Sequence, residues 1–431
     1  MLTDGVLMLS SGVERFIIKG GRRLRGKVEI SGAKNSVLPI MAAAIIGDGP
    51  SELTNVPDLA DVRTMMELIT HLGAEVNFNR NRLIIDPTRI DRTDAPYEIV
   101  KKMRASIYVL GGLIARTRKA YVSLPGGCAI GPRPIDLHLK GITELGVRVD
   151  IIKGYIDAKA TRLRGKEIFL EGTKGTSVGA TINVMLAASK AKGRTVIYPA
   201  ACEPEVVETA NFLRKMGVEI SGAGTPRIVI EGRRSLRGAK HRVIPDRIEA
   251  GTYAVAAAIT KGDISVERCR PDHLGVVLEK LKEIGAKVKV DKDRIRVRAD
   301  RRLGPTEIVV GPYPGFPTDM QAQFMALLSL SKGTSVIVET IFENRFMQAV
   351  ELMRMGAKIS IEGNTAVISG IRNLTGTKVM ASDLRASAAL VLAGLAAKGT
   401  SEVHRIYHLD RGYDHFVEKL AGLGAEIERV S

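Results

Sequence analysis

The sequence predicts an α/β fold with two similar domains, each built from three repeats of about 70 residues. Three observations support this. The chain has 431 residues, enough for two domains that each bury a core of their own. A short motif, with Gly and a small residue between a helical and a strand-like stretch, occurs six times at nearly constant spacing. An Ala-rich apolar stretch, followed by a turn and a β-branched strand, recurs in phase with it.

The first motif marks the end of one helix in each repeat. Its copies contain Gly73, Gly146, Gly217, Gly285, Gly356 and Gly424, at spacings of 73, 71, 68, 71 and 68 residues. Chance does not produce that regularity, and solenoid repeats are shorter, at about 20–50 residues. We therefore predict that each Gly adopts the left-handed conformation that ends a helix and leads into a strand.

The second motif predicts one buried helix in each repeat. Clear copies of its turn are Lys192-Gly193, Lys261-Gly262, Lys332-Gly333 and Lys398-Gly399. The apolar stretch before the last of them, residues 386–397, has no polar face and is therefore expected to be buried. Three repeats on each side of a boundary near residue 245 give the two domains.

The composition excludes several classes of protein. No apolar run reaches the roughly 18 residues of a membrane span. Three widely separated cysteines, Cys128, Cys202 and Cys269, form neither a disulfide framework nor a metal cluster, so a reducing cytoplasm is the predicted location. The net charge of +17 favours anionic small ligands over nucleic acid, because aromatic residues make up only 4% and Trp is absent.

The residues that begin the buried helices predict an anion-binding cleft. They are Lys34, Arg104, Ser177, Arg247, Asp319 and Arg385, at spacings of 70, 73, 70, 72 and 66 residues. Helix N-termini bind anions through free N–H groups. A cation there opposes the helix dipole, so the four cationic residues are functional candidates. The nearby hydroxyl residues, which are Ser36, Ser106 and Ser382, are instead predicted to be N-caps.

Three loops add further candidates. Cys128 lies in a loop rich in Gly and Pro, and a thiol five residues before Arg133 can ionise partly and meet an anionic substrate. An ordinary loop cysteine is the alternative. Arg345 and Arg411 each lie in a loop at the same point of the fifth and sixth repeats.

Together these segments resemble the enolpyruvyl transferase family, from about residue 16 to the C-terminus. The matching motifs are Ser31-Gly-Ala-Lys-Asn35, Met103-Arg-Ala-Ser106, Pro125-Gly-Gly-Cys128, Gly131-Pro-Arg-Pro134, Ser177-Val-Gly-Ala-Thr181, Pro245-Asp-Arg-Ile248, Phe316-Pro-Thr-Asp-Met-Gln321, Phe342-Glu-Asn-Arg-Phe346, Asp383-Leu-Arg-Ala-Ser387 and residues 405–413. The resemblance implies that each domain is an inside-out α/β barrel-like assembly of three repeats, with the active site in the cleft between the domains. It also implies that residues 34–244 form the first domain, and residues 1–33 and 245–431 the second.

The resemblance is to the branch of the family that acts on UDP-N-acetylglucosamine. It implies transfer of the enolpyruvyl group of phosphoenolpyruvate to the 3′-hydroxyl of that nucleotide sugar, with release of phosphate by addition and elimination. That reaction is the first committed step of peptidoglycan biosynthesis. The implied partners are these two substrates, with no metal or other cofactor, no nucleic acid and no membrane. The oligomeric state is left open.

The resemblance also implies roles for individual residues. Catalytic roles fall on Cys128, Asp319, Lys34 and Arg411. Phosphoenolpyruvate is assigned to Lys34, Asn35, Arg133, Arg345, Arg385 and Arg411. The guanidinium forks of the four arginines suit phosphate and carboxylate. The nucleotide sugar is assigned to Asn35, Arg104, Arg133, Pro134, Ile135, Asp136, Leu137, Ser177, Val178, Gly179, Asp319 and Ile341. Cys128 is implied in proton transfer, and Asp319 as general base or orienter of the attacking hydroxyl.

Three alternatives stay open at this point. The shikimate-pathway enolpyruvyl transferase has the same fold, but its loop is not expected to read Pro125-Gly-Gly-Cys128. A non-catalytic basic repeat protein that binds nucleic acid predicts unrelated residues at the helix starts. A paralogue that has lost activity is the third, although Cys128, Asp319 and the arginines are present.

Overall fold

The computed structural model describes residues 14–126, 134–173 and 175–431. Its strands are β1 (Arg15–Lys19), β2 (Arg25–Glu29), β3 (Ser51–Thr54), β4 (Glu75–Asn79), β5 (Arg82–Asp86), β6 (Asp94–Ala95), β7 (Lys119–Ser123), β8 (Arg148–Ile152), β9 (Tyr155–Lys159), β10 (Glu167–Phe169), β11 (Arg194–Tyr198), β12 (Glu219–Ser221), β13 (Ile228–Glu231), β14 (Lys240–Arg242), β15 (Asp263–Glu267), β16 (Lys287–Val290), β17 (Arg294–Arg298), β18 (Glu307–Val309), β19 (Thr334–Val338), β20 (Lys358–Glu362), β21 (Thr365–Ser369), β22 (Lys378–Met380), β23 (Thr400–His404) and β24 (Glu426–Val430).

The α-helices are α1 (Lys34–Ala44), α2 (Ala60–His71), α3 (Tyr97–Val100), α4 (Tyr108–Thr117), α5 (Asp136–Glu144), α6 (Val178–Ala188), α7 (Pro204–Met216), α8 (Arg247–Ile259), α9 (Gly275–Glu283), α10 (Gln321–Leu328), α11 (Gln348–Arg354), α12 (Leu384–Ala396) and α13 (Phe416–Gly422). Short 3₁₀ helices span Arg104–Ile107, Pro271–Leu274, Thr318–Met320 and Ile406–Arg411.

The strands of the described residues form six four-stranded sheets of one pattern. Each sheet has one parallel pair at its edge, followed by two antiparallel pairs. The orders are β14-β3-β5-β4, β6-β7-β9-β8, β10-β11-β13-β12, β2-β15-β17-β16, β18-β19-β21-β20 and β22-β23-β1-β24. The repetition seen in the sequence is therefore a repetition of one supersecondary unit.

The apolar helices lie inside and the sheets outside. In β17 the arginines at 294, 296 and 298 are exposed while Ile295 and Val297 are buried, the alternation expected of a sheet with one solvent face. Helix α12, which has no polar face, is buried from Leu384 to Leu395 and packs on α8 and α10. Helix α4 packs in the same way on α1 and α6. The α/β fold of inside-out repeats predicted from the sequence is confirmed.

Two hydrophobic cores are separate from each other. One is formed by residues between Val37 and Val243, which we call the first half. The other is formed by residues 16–30 together with residues 248–423, which we call the second half. Strand β1 pairs with β23 and β24, and β2 pairs with β15, so the N-terminal strands lie in the second half. The limits of the two predicted domains, at residues 33/34 and 244/245, stay a prediction.

The chain passes between the halves twice, and the two crossings are hydrogen-bonded to each other. The Ala33 N–H donates to the carbonyl of Ile244 at 2.8 Å, and the Asp246 N–H donates to the carbonyl of Ser31 at 2.9 Å. This pairing leads directly into α1 on one side and α8 on the other. The first residues of both helices therefore lie at the junction of the halves.

The glycines at the helix ends behave as predicted. Those at positions 73, 146, 217, 285, 356 and 424 have φ between +92° and +111°. The turn at Lys261-Gly262 differs from the other three, because Lys261 takes the left-handed conformation with φ of +54°. Gly262 is required there for space, since a Cβ would lie 2.1 Å from the carbonyl oxygen of Leu24.

The predicted serine N-caps are wrong. Helix α1 begins two residues before Ser36, and Ser106 lies within a 3₁₀ helix. Ser382 precedes the cap, which is Asp383: its Oδ1 accepts from the N–H groups of Arg385 at 2.8 Å and Ala386 at 3.1 Å. An aspartate at the Ncap position accepts both amides with a charged oxygen, which a serine one residue earlier does not reach.

Asp246 caps two helices at once. Its Oδ1 accepts from Ile248 N–H at 2.8 Å and Glu249 N–H at 3.0 Å at the start of α8. Its Oδ2 accepts from the N–H of Lys34, the first residue of α1, at 3.1 Å. One carboxylate thus ties together the helix starts of the two halves.

Replacing Asp246 by Ala is therefore expected to destabilise the protein more than replacing Asp383 by Ala, which removes the cap of α12. Each change removes an N-cap worth about 1 kcal/mol. The Asp246 variant also loses the bond to α1, which is worth about another 1 kcal/mol. Urea unfolding followed by circular dichroism measures both, and equal losses in the two variants would contradict the double cap.

Candidate active site

The structure places the six helix-start residues where the repeat predicts them. Lys34 and Arg247 are the first residues of α1 and α8, and Arg385 is the second residue of α12. The remaining three are Ser177, which caps α6, and Arg104 and Asp319, which lie in the 3₁₀ helices before α4 and α10.

Asp319 lies at the centre of one charged cluster. Its Oδ1 accepts from Nη2 of Arg345 at 2.7 Å, and its Oδ2 accepts from Nη2 of Arg385 at 2.9 Å. Nδ2 of Asn35, in the first half, donates to the same Oδ2 at 3.4 Å. The cluster therefore joins the start of α1 to three elements of the second half.

The two arginines keep Asp319 ionised. Burial alone would raise the pKa of the Asp319 carboxyl group. The charges of Arg385, Arg345 and Lys34 outweigh burial and hold that pKa well below its usual range. Asp319 is thus a hydrogen-bond acceptor with little tendency to take a proton.

Asp61 is the centre of a second cluster. Its Oδ2 accepts from Nζ of Lys34 at 3.3 Å, and its Oδ1 accepts from Nε of Arg411 at 2.8 Å. Burial is the main reason that the pKa of Lys34 lies below its usual range; Asp61 opposes the shift, and Arg385 and Arg411 add to it. The sequence interpretation missed Asp61, because it lies in α2, outside the repeated helix starts.

Taken together, the two clusters carry an excess of positive charge. Four cations, which are Lys34, Arg345, Arg385 and Arg411, surround two carboxylates, so the balance is +2. Arg385 is close enough to Lys34 that its positive charge helps to lower the pKa of the lysine. The junction of the halves is thus prepared for a ligand with more than one anionic group, each of which can replace a carboxylate as partner.

Buried polar residues orient Arg385 from behind. Its guanidinium lies over the ring of Tyr413, 5.5 Å from the ring centre, and the arginine side chain is only 3% exposed. The Tyr413 hydroxyl bonds to Oγ1 of Thr252 at 2.9 Å and accepts from Nε2 of Gln323 at 3.3 Å. Tyr413 belongs to the segment of residues 405–413 that the sequence interpretation singled out, although this packing role was not foreseen.

A second group of predicted residues lies within the first half, around the starts of α5 and α6. Nη2 of Arg104 donates to the carbonyl of Pro134 at 3.5 Å. Pro134 and Asp136 are exposed, and Ile135 and Leu137 are half-buried. At the start of α6, Oγ of Ser177 accepts from Ala180 N–H at 3.2 Å, with Val178 and Gly179 half-buried beside it.

His138 supports this group and was also missed from the sequence. A Cβ on Gly179 would lie 2.9 Å from Cε1 of His138, so the ring packs directly on the start of α6. Nδ2 of Asn183 donates to Nδ1 of His138 at 2.8 Å and to the carbonyl of Ile107 at 2.9 Å, while its Oδ1 accepts from Gly111 N–H. These partners fix the amide orientation, so a neutral His138 carries its proton on Nε2.

Arg247 has a different partner from the other helix-start cations. Its Nε donates to Oε1 of Glu205 at 2.9 Å, and its Nη2 donates to Oε2 at 3.3 Å. Burial acts to lower the pKa of Arg247, and the adjacent Glu205 more than offsets it, so the pKa is raised. Glu205 lies in α7 of the first half, so this bidentate pair links the two halves.

Two predicted catalytic and binding residues, Cys128 and Arg133, lie outside the described residues. Ile341 lies in the loop after β19, where its N–H donates to Oε1 of Glu339 at 2.8 Å. Among the described residues, no three His, Cys, Asp or Glu side chains are grouped so as to hold a metal ion. No helix in the same part of the chain is long and apolar enough to cross a lipid bilayer.

Comparison with known proteins decides the family. The model of the EPSP synthase (3-phosphoshikimate 1-carboxyvinyltransferase) family matches residues 18–420. The chain belongs to this family of enolpyruvyl transferases. The family predicted from the sequence motifs is thereby confirmed.

Curated relatives of this enolpyruvyl transferase match it along nearly the whole chain. It is 54% identical to UDP-N-acetylglucosamine 1-carboxyvinyltransferase 2 of Carboxydothermus hydrogenoformans, over 97% of this chain and 100% of the relative. It is 53% identical to UDP-N-acetylglucosamine 1-carboxyvinyltransferase of Methylacidiphilum infernorum, over 97% and 99%.

Solved structures agree with the family assignment. The enolpyruvyl transferase NikO from Streptomyces tendae matches with a TM-score of 0.89 and 27% identity, over 97% of this chain and 99% of that one. EPSP synthase from Acinetobacter baumannii matches with a TM-score of 0.75 and 18% identity, over 97% and 100%. The second likeness supports the fold alone.

Proposed function

We propose that this enolpyruvyl transferase moves the enolpyruvyl group of phosphoenolpyruvate to the 3′-hydroxyl of UDP-N-acetylglucosamine and releases phosphate, as the first committed step of peptidoglycan biosynthesis in the cytoplasm. Relatives more than half identical to this chain carry the name of that activity. The proposal rests on the position of Asp319. Its carboxylate accepts hydrogen bonds from Arg345 and Arg385 of the second half and from Asn35 of the first half.

Phosphoenolpyruvate matches the charge of the site. It carries a phosphate and a carboxylate, and the four cations of the two clusters, Lys34, Arg345, Arg385 and Arg411, exceed the carboxylates of those clusters, Asp319 and Asp61, by two. Guanidinium groups bind both anions through paired N–H donors. Arg133 and Asn35 complete the proposed set of phosphoenolpyruvate contacts.

The proposed nucleotide-sugar site is the second group of residues. The N–H groups at the start of α6, from Ser177 to Gly179, suit a diphosphate, because a helix N-terminus presents free donors and a positive dipole. Arg104 and Arg133 add positive charge, and the chain from Pro134 to Leu137 lines the nucleotide. Asn35, Asp319 and Ile341 are assigned to the sugar.

The proposed reaction is an addition followed by an elimination. The 3′-hydroxyl gives its proton to Asp319 while its oxygen attacks C2 of phosphoenolpyruvate and C3 takes up a proton, for which Cys128 is the proposed donor. The resulting tetrahedral adduct then returns a proton from C3 to the Cys128 thiolate, the electron pair of that C–H bond forms the C2–C3 double bond, the bond between C2 and the phosphate oxygen breaks, and phosphate leaves. The cations of the two clusters, Lys34, Arg345, Arg385 and Arg411, stabilise the negative charge on the departing phosphate.

Substrate binding is expected to make Asp319 a better base. Arg385 and Arg345 hold the pKa of the Asp319 carboxyl group well below its usual range, and a general base works best when its pKa lies near the operating pH. The phosphate and carboxylate of phosphoenolpyruvate compete for the same guanidinium groups. Since each bond that shifts to substrate removes part of the stabilisation of the carboxylate, the pKa of Asp319 rises when phosphoenolpyruvate is bound.

The test is identification of the product. The purified protein is incubated with both substrates, and the nucleotide fraction is examined by proton NMR. The proposal predicts two vinyl proton signals on a UDP-sugar, with the ether bond at the 3′-oxygen. Consumption of phosphoenolpyruvate without an enol ether on the nucleotide sugar would contradict it.

Replacing Cys128 by Ser is expected to abolish covalent labelling by a thiol-alkylating phosphonate epoxide. Cys202→Ser is the matched control, because burial, with the charge of Glu203, raises the pKa of the Cys202 thiol and makes it a poor nucleophile. Intact mass spectrometry measures the extent of covalent labelling in both variants. Undiminished labelling of the Cys128 variant would remove that residue from the proposed site.

A further inference from the structure

Glu339 is a buried carboxylate directly after β19 (Thr334–Val338), and its whole residue is 1% exposed. Oε1 accepts from the N–H groups of Ile341 at 2.8 Å and Phe342 at 3.1 Å. Oε2 accepts from the hydroxyl of Thr318 at 2.8 Å. One oxygen therefore fixes the turn that contains Ile341, and the other accepts a hydrogen bond from Thr318, the residue next to Asp319.

The direction of the next hydrogen bond follows from the proton count. The hydroxyl of Thr318 has one proton, and Nη1 of Arg345 can only donate, so that proton is left for Oε2 of Glu339. Because that proton points to Glu339, the hydroxyl oxygen presents its lone pairs to Nη1 of Arg345, 2.9 Å away. Nη2 of the same guanidinium donates to Asp319 at 2.7 Å. Both donor groups of the Arg345 fork are thus fixed, one by Thr318 and one by Asp319.

We propose that Glu339 is a positioning residue for the transfer reaction. It sets the orientation of the Thr318 hydroxyl, which orients Arg345 and, through it, the carboxylate of Asp319. Glu339 makes no contact with substrate in this account. The inference rests on the proposed function, since it assigns a role in that reaction.

A purely structural role would need only the oxygen that holds the turn at Ile341 and Phe342. The variant Glu339→Gln distinguishes the structural role, which is to fix this turn, from the positioning role, which is to orient the Thr318 hydroxyl. The amide oxygen can still accept from the two backbone N–H groups, but the amide nitrogen now faces Thr318. The hydroxyl then has to accept from that nitrogen as well as from Nη1 of Arg345, and its own proton loses its acceptor at position 339. The hydrogen bond that oriented the hydroxyl is reversed, although shape and backbone contacts are preserved.

Glu339→Gln is therefore expected to lower kcat by about 100-fold, the cost of misplacing a catalytic group by about 1 Å. The acid limb of the kcat profile moves to higher pH, because Asp319 loses part of the stabilisation by Arg345 and its pKa rises. The melting temperature and the affinity for UDP-N-acetylglucosamine stay close to wild type. Glu362→Gln, an exposed residue at the end of β20, is the matched control.

Thr318 provides the decisive comparison. Thr318→Val removes the hydroxyl and keeps the shape, so it is expected to lower kcat to a similar extent, while Thr318→Ser keeps the hydroxyl and most of the activity. In the Thr318→Val background, Glu339→Gln is expected to add less than about threefold. The same 100-fold loss in both backgrounds would overturn the proposal, as would wild-type kcat in Glu339→Gln.

Two outcomes separate this inference from the proposed function. An active wild type with an unaffected Glu339→Gln overturns the inference alone. A wild type that forms no enol ether overturns the proposed function and the inference with it. Should Glu339→Gln fail to fold, Thr318→Val against Thr318→Ser tests the same hydroxyl, and equal kcat in those two variants contradicts the positioning role.

Discussion

Replacing Asp319 by Asn is expected to lower kcat by about 10²–10⁴-fold, the usual contribution of a general base. The amide keeps the size of the side chain but cannot take the proton of the 3′-hydroxyl. The affinity for UDP-N-acetylglucosamine is expected to change little, because Asp319 is only one of its many proposed contacts. Steady-state kinetics and isothermal titration calorimetry measure the two quantities separately.

The control for Asp319→Asn is Asp291→Asn, a change in an exposed aspartate that pairs with Arg294 at the surface. It removes the same charge from the protein without touching the junction of the halves, and its kcat should equal that of the wild type. An Asp319→Asn variant that turns over at half the wild-type rate or faster would remove Asp319 from the chemistry.

The pH dependence of the free energy of unfolding tests the ionisation of Asp319 independently of the kinetics. Its pKa in the folded protein is depressed, so its contribution to stability is fully present above the unfolded value of about 3.9. That contribution is lost as pH falls from there toward the lower folded pKa. The stability difference between wild type and Asp319→Asn is therefore expected to be constant at neutral pH and to shrink only in strong acid.

Replacing Arg385 by Ala is expected to be the most damaging change among the arginines. It removes one of the two guanidinium partners of Asp319 and opens a space in front of Tyr413. Breaking a buried ion pair costs about 3–5 kcal/mol of stability. The loss of a charge-assisted contact to phosphoenolpyruvate is expected to weaken its binding by at least about 100-fold.

Arg385→Lys separates charge from geometry. Lysine keeps the positive charge but cannot donate in a planar fork or stack on the Tyr413 ring in the same way. Its melting temperature should lie between those of wild type and Arg385→Ala, with phosphoenolpyruvate binding still strongly weakened. Arg298→Ala, at an exposed position of β17, is the control. Unchanged phosphoenolpyruvate affinity in Arg385→Ala would exclude it from the anion site.

The repeat explains how much of the fold could be predicted from the sequence. The helix-ending glycines recur because a backbone with φ near +100° excludes most side chains, so the same residue is needed at the same place in each unit. The helix starts recur at similar spacing because each repeat folds into the same supersecondary unit. Lys34, Asp319 and Arg385 could therefore be placed at helix starts, which the structure bears out.

The partners of these residues could not be predicted in this way. Asp61 and Arg411 are 350 positions apart and meet only because the two halves meet. Glu339 lies at the end of a strand, where no periodic pattern distinguishes it from a surface residue. The serine caps failed at α1 and α12 because Asp246 and Asp383 accept from the first N–H groups of those helices.

The most direct test of the account is phosphate release from phosphoenolpyruvate with UDP-N-acetylglucosamine or shikimate 3-phosphate as acceptor, in the absence of added metal. We predict release with the nucleotide sugar and none with the shikimate derivative. Release only with shikimate 3-phosphate would assign the chain to the other branch of its family. Release with neither acceptor would leave the fold in place and contradict the proposed reaction.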